Sequence, residues 1–113
     1  MRRLTIEVAG RETASRRFRA AMRGRRQGEY LSFPDLETLH KVLTPRRLRV
    51  LARLQRGGPT GVRALARALG MDPGNLARDL KVLKEFGLVT EAEGGVEVPY
   101  DEIRLELVIR KAA

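Results

Sequence analysis

The sequence contains no cysteine and no tryptophan, and its only histidine is His40. The lack of cysteine excludes cysteine-ligated structural zinc, iron–sulfur clusters and thiol redox chemistry. A single histidine leaves little basis for a histidine metal site, so we expect neither a metal nor a cofactor. Because the chain has 113 residues, it is long enough for one compact domain with a small extension and too short for a large multidomain enzyme.

Long apolar runs and catalytic motifs are missing as well. No apolar segment approaches the ~20 residues that a membrane-spanning helix needs, and no signal peptide is visible, which predicts a cytoplasmic protein without a membrane partner. The sequence has no phosphate-binding loop, no nucleophile elbow and no metal-ligand spacing. The adjacent Asp101 and Glu102 are interpreted as a turn rather than an acid–base pair. We therefore expect no enzymatic activity.

Positive charge is what the sequence has in excess. It carries 23 Lys+Arg against 14 Asp+Glu, a formal net charge of +9. Residues 1–28 hold 9 basic and 2 acidic side chains, and residues 45–87 hold 10 basic and 3 acidic ones, whereas residues 29–44 and 88–113 are net acidic. This polarised distribution indicates a polyanionic partner, although charge alone does not separate nucleic acid from an acidic protein or a membrane surface.

The N-terminal third is predicted to be an extension made of a strand and a helix. Apolar residues alternate with polar ones over residues 4–8, which is typical of a half-buried strand. Apolar positions over residues 14–22 recur at helical spacing, and residues 29–33 are consistent with a second short strand. We interpret residues 1–33 as an extension that offers a dimer or partner surface, and residues 34–113 as the main domain.

Capping residues divide the following segment into helices. Ser32 and Asp35 have the spacing of a capping box, Thr44 precedes Pro45, and Asp72 precedes Pro73. Each pair predicts a helix start. Further features predicted here are Gly70 as the C-terminal cap of a short helix, Thr60 as the N-cap of that helix, His40 as a packed core histidine, and a buried face of Leu48, Leu51 and Ala52.

The last part of the chain has a strand pattern. Residues 88–90 and 96–98 flank Glu93-Gly94-Gly95, which predicts a β-hairpin. Apolar and charged residues then alternate over residues 103–110, which predicts a final strand. Three helices followed by a hairpin is the element order of a winged helix-turn-helix, so the predicted fold class is α+β.

The segment VRALARALGMDPGNLARDLKVLKEFGLVT, residues 62–90, resembles the DNA-binding half of winged helix-turn-helix regulators of the MarR and ArsR type. The flanking stretches LETLHKVLTPRRLRVLARL and VPYDEIRLEL are similar to a family of short archaeal and bacterial winged-helix DNA-binding proteins. Members of that family are often encoded beside a small toxin and are described as antitoxin-like. The resemblance implies a winged helix-turn-helix fold, double-stranded DNA as partner, and a recognition helix over Pro73–Phe86.

Helical geometry then selects candidate DNA contacts on that helix. The side opposite Leu76, Leu80 and Leu83 carries the predicted contact residues Gly74, Asn75, Ala77, Arg78 and Lys81. Arg78 suits a guanine edge, Asn75 suits an adenine edge, and Lys81 suits a phosphate. The alternative is an ordinary solvated helix face. Asp79 and Glu85 are interpreted as surface ion-pair partners and not as DNA contacts.

Other basic positions are predicted as secondary contacts. Arg63 and Arg67 on the preceding helix are expected to lie near phosphates, and Thr60 to direct backbone N–H groups at one. Arg46 begins a stripe that continues through Arg49, Arg53 and Arg56, which would brace DNA, bind an acidic partner or be solvated. Arg23, Arg25 and Arg26 form either a minor-groove arm or a soluble loop. The predicted wing carries Glu91, Glu93 and Glu97, so we do not expect it to grip phosphates.

Together these features predict a sequence-specific transcriptional regulator that acts as a homodimer, because one helix contacts too few bases for useful specificity. The alternative is an antitoxin that neutralises a cognate toxin through protein contact and uses DNA binding for autoregulation. Either residues 4–22 or the last strand would supply the dimer surface. RNA binding is disfavoured, because two Tyr and three Phe are too few for a base-stacking platform.

Overall fold

The computed structural model of the chain describes residues 1–10 and 28–109. The predicted helix over residues 14–22 and the arginine loop over residues 23–26 lie outside this range. The described elements are, in chain order, the strands and helices β1 (Arg3–Val8), β2 (Glu29–Phe33), α1 (Leu36–Val42), α2 (Pro45–Gly57), α3 (Val62–Leu69), α4 (Pro73–Glu85), β3 (Thr90–Ala92), β4 (Gly95–Glu97) and β5 (Glu102–Glu106). The architecture is α+β and is compatible with a winged helix.

The described residues divide into two compact units. The first comprises Met1–His40 and Glu102–Ala113, and the second comprises Lys41–Asp101. Strand β5 belongs to the first unit because it pairs with β1, and the domain boundary after residue 33 stays a prediction. Whether the first unit is a dimer or partner surface stays a prediction.

The first unit is built on a three-stranded sheet in the order β2-β1-β5. Both neighbours of β1 run parallel to it, and Ile6 lies between Leu31 and Leu105 in the register. Leu4 and Ile6 are buried, as the alternation over residues 4–8 predicts. This pairing of the first strand with the last was not predicted, since a period of two residues identifies a strand and not its neighbours.

Charged side chains also connect the strands of this sheet. Arg2 donates to both carboxylate oxygens of Glu29 at 2.9 Å, and these hydrogen bonds hold the pKa of Glu29 below its ordinary value. Arg3 forms an ion pair with Glu102 at 3.1 Å. The strand partners are thus joined by charge pairs as well as by backbone hydrogen bonds.

Helix α1 begins one turn later than a Ser32 cap would place it. The Oδ1 of Asp35 accepts from the N–H and the hydroxyl of Thr38, both at 2.7 Å, so Asp35 is the capping residue. Ser32 lies in β2 and donates to the buried carboxylate of Glu7 at 3.1 Å. The prediction that His40 is a core residue is also wrong: Leu39 and Leu43 are buried, and His40 is exposed.

The second unit contains α2, α3, α4 and the β3–β4 pair around a leucine-rich core. Its buried apolar side chains come from the end of α1, from each of these helices and from the region after α4, namely Val42, Leu43, Val50, Leu51, Leu54, Leu65, Ala66, Leu76, Leu80, Leu83, Leu88, Val89 and Val96. On α2 the predicted buried face was correct only for Leu51. Leu48 is 38% exposed, Ala52 is exposed, and Val50 and Leu54 take their places.

The predicted caps of α2 and α4 are confirmed. Thr44 accepts from the N–H of Arg47 at 3.2 Å, and Asp72 accepts from the N–H of Asn75 at 3.0 Å. Gly70 ends α3 in the left-handed conformation with φ 65°, as predicted, and its N–H bonds to the carbonyls of Ala66 and Arg67. Helix α4 ends at Glu85, so Phe86, its predicted last residue, is instead its C-cap.

The predicted strands, residues 88–90 and 96–98, are displaced in the structure to Thr90–Ala92 and Gly95–Glu97. Strands β3 and β4 form an antiparallel pair with Thr90 opposite Glu97. Thr60 extends it by a bridge: its N–H donates to the Val96 carbonyl at 2.9 Å, and its carbonyl accepts from the Val96 N–H at 3.0 Å. The prediction that Thr60 caps α3 is therefore wrong, because Gly61 holds the N-cap position without a side-chain hydrogen bond. The Thr60 hydroxyl instead donates to the Gly58 carbonyl at 2.9 Å.

Candidate nucleic-acid interface

Helices α3 and α4 form a helix-turn-helix. Leu65 and Ala66 of α3 and Leu76 of α4 are fully or almost fully buried, and the left-handed Gly70 reverses the chain between the helices. The small side chain of Ala66 allows the two helices to approach closely. This arrangement buries one side of α4 and leaves its other side open to solvent.

The exposed side of α4 is the predicted one. All five candidate contact residues on this helix are exposed, namely Gly74, Asn75, Ala77, Arg78 and Lys81. Within the set, the Nη1 of Arg78 donates to the Oδ1 of Asn75 at 2.6 Å. Because the two predicted base-reading side chains are one turn apart, this bond holds the guanidinium along the helix face. The structure thus brings together two residues that the sequence analysis treated separately.

Asp79 of α4 is buried between two arginines of α2. Its side chain is 1% exposed and lies 2.7 Å from the Nε of Arg46 and 3.0 Å from the Nε of Arg47. A second nitrogen of Arg46 also donates to Asp79 at 3.0 Å, so that contact is bidentate. The prediction that Asp79 is a surface ion-pair partner is correct in the pairing and wrong in the location.

The ionisation of Asp79 follows from these contacts. Desolvation by burial raises the pKa of Asp79, but the hydrogen bonds and charges of Arg46 and Arg47 outweigh it and hold the pKa below its ordinary value. The same hydrogen bond raises the pKa of Arg46. Asp79 is therefore a carboxylate whose negative charge is compensated inside the unit by Arg46 and Arg47.

Arg47 has a second role that the sequence analysis missed. Its Nη1 donates to the carbonyls of Lys41 and Val42, both at 3.0 Å, while its Nε holds Asp79. One side chain thus joins the end of α1 to α4. Helical spacing contained a signal for this network, because Asp79 lies about 40° from Leu83 around the helix, at the edge of the buried face.

The other predicted basic contacts occupy two neighbouring regions. Arg63 and Arg67 are exposed on α3 and line a shallow depression of about 540 Å³ that extends to Pro73 at the start of α4. Arg46 is half-exposed, but its guanidinium is held by Asp79. The remaining arginines of the α2 stripe, Arg49, Arg53 and Arg56, lie around a separate depression beside Ala68 and Leu69.

Thr60 uses its N–H within the bridge to Val96, so that group is not free for a phosphate.

The β3–β4 pair is acidic, as predicted. Glu91 and Glu93 are exposed and Glu97 is half-buried. The Glu91 carboxylate is paired with the ammonium group of Lys84 in the last turn of α4. Lys84 is thereby engaged within the unit, and the positive charge offered by α4 is concentrated at Arg78 and Lys81.

Over residues 1–10 and 28–109, no group of three or more histidine, aspartate or glutamate side chains is placed to hold a metal ion. No helix in the same range is long and apolar enough to cross a membrane. Neither finding extends to residues 11–27 or 110–113.

Comparison with known proteins agrees with this architecture. The profile of the HVO_A0114 family matches residues 42–105, more than half of the chain. The chain belongs to the HVO_A0114 family. The matched residues of this family member include all of α2, α3, α4 and the β3–β4 pair.

A curated relative of this HVO_A0114 family member is a regulator. The chain is 40% identical over 63 residues to the HTH-type transcriptional regulator NmtR of Mycobacterium tuberculosis, covering 56% of this chain. It spans about half the length of that relative, 52%. The name of this relative describes it as a transcriptional regulator. No solved structure matches the chain.

Proposed function

We propose that the chain is a sequence-specific double-stranded DNA-binding transcriptional regulator, of the MarR and ArsR type, that places α4 in the major groove and acts as a homodimer. The observation that carries the proposal is the exposed side of α4. It presents Arg78, Asn75 and Lys81 outward, while Asp79 on the same helix is buried and paired with Arg46 and Arg47. The homology to an HTH-type regulator supports the same conclusion.

The side chains of α4 have distinct roles in this proposal. Arg78 donates to the edge of a guanine, and Asn75 pairs with an adenine edge. Lys81, one turn further along, contacts a phosphate. Gly74 and Ala77 are small, so they allow the helix to approach the bases closely. Each role requires a residue that solvent reaches, and all five residues are exposed.

The preceding helix supplies the backbone contacts. In a helix-turn-helix the first helix crosses the phosphate backbone, and Arg63 and Arg67 are exposed on α3 beside the start of α4. Arg46 contributes positive charge from α2, although its guanidinium is already held by Asp79. Thr60 has no place in this set of contacts, because its N–H belongs to the bridge with Val96.

The β3–β4 pair is the proposed wing. Its carboxylates would be repelled by phosphates, so we propose that it lies away from the DNA backbone and that Glu91 braces α4 through Lys84. The antitoxin alternative, in which the terminal segments contact a toxin, stays a prediction, since residues 11–27 and 110–113 lie outside the described residues.

The test is a selection of bound duplexes from a random pool, followed by gel-shift titration of the selected sequence. Arg78→Ala is expected to lower affinity and to relax discrimination at one base pair by about 1–3 kcal/mol. Lys81→Ala is expected to weaken all sequences alike. Lys41→Ala, an exposed lysine outside α3 and α4, is the control. Unchanged affinity in both Arg78→Ala and Lys81→Ala would refute the assignment of α4.

A further inference from the structure

The outer edge of β5 is open in the described part of the chain. In the sheet order β2-β1-β5, β5 pairs with β1 along one edge, and no described strand pairs with its other edge. An open strand edge presents unpaired N–H and C=O groups, which favour the addition of another strand. Native proteins either cover such an edge with another segment or protect it with charged side chains, proline or a bulge. The side chains of β5 therefore indicate whether its edge is protected or available for pairing.

Exposed apolar side chains are concentrated on and just after β5. Leu105 is 42% exposed, Leu107 is 46%, Val108 is 67% and Ile109 is 98%. On the same face of the central strand, Ile6 is 1% exposed, although it lies beside Leu105 in the register. The apolar face of the sheet is therefore covered at its centre and uncovered at the β5 edge. Contiguous exposed apolar surface of this kind marks an interaction site.

The charges of β5 are self-complementary in two antiparallel registers, about Ile103 and about Leu105. Pairing about Ile103 sets Arg104 opposite Glu102 but places Leu105 opposite Asp101, whereas pairing about Leu105 matches both the charged and the apolar side chains. If two copies of the strand pair about Leu105, then Arg104 of each copy lies opposite Glu106 of the other, and this ion pair occurs twice by symmetry. Leu105 faces itself, and Ile103 faces Leu107. A pairing about Arg104 would instead place Arg104 opposite Arg104 and Glu102 opposite Glu106, which like-charge repulsion disfavours.

We propose that the chain forms a homodimer through β5, paired antiparallel with a second copy about Leu105, so that the two three-stranded sheets become one six-stranded sheet. The interface is isologous, as a two-fold dimer requires. Ile103, Leu105 and Leu107 of both copies form one apolar row, because residues two apart share a face. This proposal rests on the proposed function only in assuming a homodimer, and pairing through β5 does not require DNA to be bound.

The charge pairs provide a swap experiment on the full chain, measured by sedimentation equilibrium without DNA. Arg104→Glu and Glu106→Arg are each expected to raise the dimer dissociation constant about tenfold or more, because each places like charges opposite each other twice. The double variant Arg104→Glu/Glu106→Arg is expected to restore the wild-type constant. Lys41→Glu is the matched control for Arg104→Glu, since it makes the same charge change at an exposed position outside the sheet, and Glu37→Arg is the matched control for Glu106→Arg for the same reason.

A cysteine series tests the register and does not depend on the charged variants folding. The chain has no cysteine of its own, so a single introduced thiol can pair only with its copy. Leu105→Cys is expected to form a disulfide dimer on mild oxidation, because the two side chains face each other. Ile103→Cys is the control: the two copies of residue 103 are about 13 Å apart along the strands, too far for a disulfide.

The outcomes separate the dimer from the DNA-binding proposal. A wild-type chain that stays monomeric, a double swap no tighter than either single variant, or cross-linking at Arg104→Cys in place of Leu105→Cys would each overturn the β5 dimer. Arg78→Ala is expected to leave the dimer constant unchanged. If Leu105→Cys cross-links while Arg78→Ala and Lys81→Ala keep full DNA affinity, the dimer stands and the DNA-binding assignment fails.

Discussion

Asp79 of α4 is bound by Arg46 of α2 through two hydrogen bonds, at 2.7 and 3.0 Å, although the aspartate side chain is almost fully buried. The contact ties the proposed recognition helix to α2, the helix that precedes the helix-turn-helix. A buried carboxylate costs free energy unless it is paired and hydrogen-bonded. The orientation of α4 and the pairing of Asp79 are therefore linked.

Loss of the Asp79 charge is expected to destabilise the protein. Asp79→Asn keeps the shape of the side chain but leaves the largely buried Arg47, 16% exposed, without its counter-ion. Breaking a buried ion pair by removing one partner lowers the free energy of unfolding by about 3 kcal/mol. Urea unfolding measures the change, and Glu85→Gln, which removes an exposed acid from the same helix, is expected to be near neutral. Equal effects of the two variants would contradict the role of Asp79.

The same group predicts an acid dependence of stability. Since the pKa of Asp79 is lower in the folded state than in the unfolded state, the unfolded state binds more protons there as the pH falls. The stabilisation by Asp79 is therefore complete when the pH is above 3.8, the ordinary pKa of an aspartate. It is lost as the pH falls below that value and passes through the lower pKa of Asp79 in the folded state. We expect the stability difference between wild type and Asp79→Asn to be constant at higher pH and to shrink in this acid range. A difference that persists unchanged in acid would argue against the ion pair.

The hydrogen bond between Arg78 and Asn75 predicts coupled effects on DNA binding. Asn75→Ala removes the proposed base contact of Asn75 and releases the Arg78 guanidinium from the 2.6 Å bond that orients it. In a double-mutant cycle with the selected operator, we expect a coupling free energy of about 0.5–3 kcal/mol. Additive effects of Arg78→Ala and Asn75→Ala would show that the two side chains act independently. Arg78→Ala with Arg63→Ala, on different helices, is the comparison pair.

The phosphate contacts predict a defined change in salt dependence. Arg63→Ala, Arg67→Ala and Lys81→Ala each remove one proposed phosphate contact, so each is expected to reduce the slope of log affinity against log salt by about 1. Gel-shift titrations at several salt concentrations measure the slope. Lys84→Ala is the internal comparison, because its ammonium group is engaged by Glu91, and we expect little change. A slope that none of the first three variants alters would exclude α3 and Lys81 from the backbone contacts.

Gly95 at the start of β4 is expected to tolerate no side chain. Its φ is 144°, and a Cβ there would lie 2.2 Å from the carbonyl oxygen of Thr60. Gly95→Ala must therefore disturb the bridge between Thr60 and Val96, and we expect it to lower the free energy of unfolding by about 2 kcal/mol or more. Gly57→Ala is the control, since a Cβ at that position meets nothing within 4 Å. Thermal unfolding compares the two variants.

The parts of the fold that the sequence predicts correctly are those determined by neighbouring residues. Thr44 before Pro45 and Asp72 before Pro73 mark helix starts, because an N-cap acts on an N–H only a few residues away. Gly70 ends α3 for an equally local reason, its left-handed backbone. The exposed side of α4 is predictable as well, since the leucines at helical spacing define the opposite side.

The tertiary structure alone decides the contacts between distant parts of the chain. Arg46 and Asp79 are 33 positions apart, and β5 pairs with β1 from the other end of the chain. No short-range sequence pattern therefore identifies which residue or strand will be the partner. Exposure of His40 and the strand position of Ser32 are decided in the same way, by what packs around them. The lack of cysteine and of long apolar runs in the sequence limits the kinds of site that the chain can form. Contacts between residues far apart in the chain determine which charged side chains face solvent and which are neutralised inside.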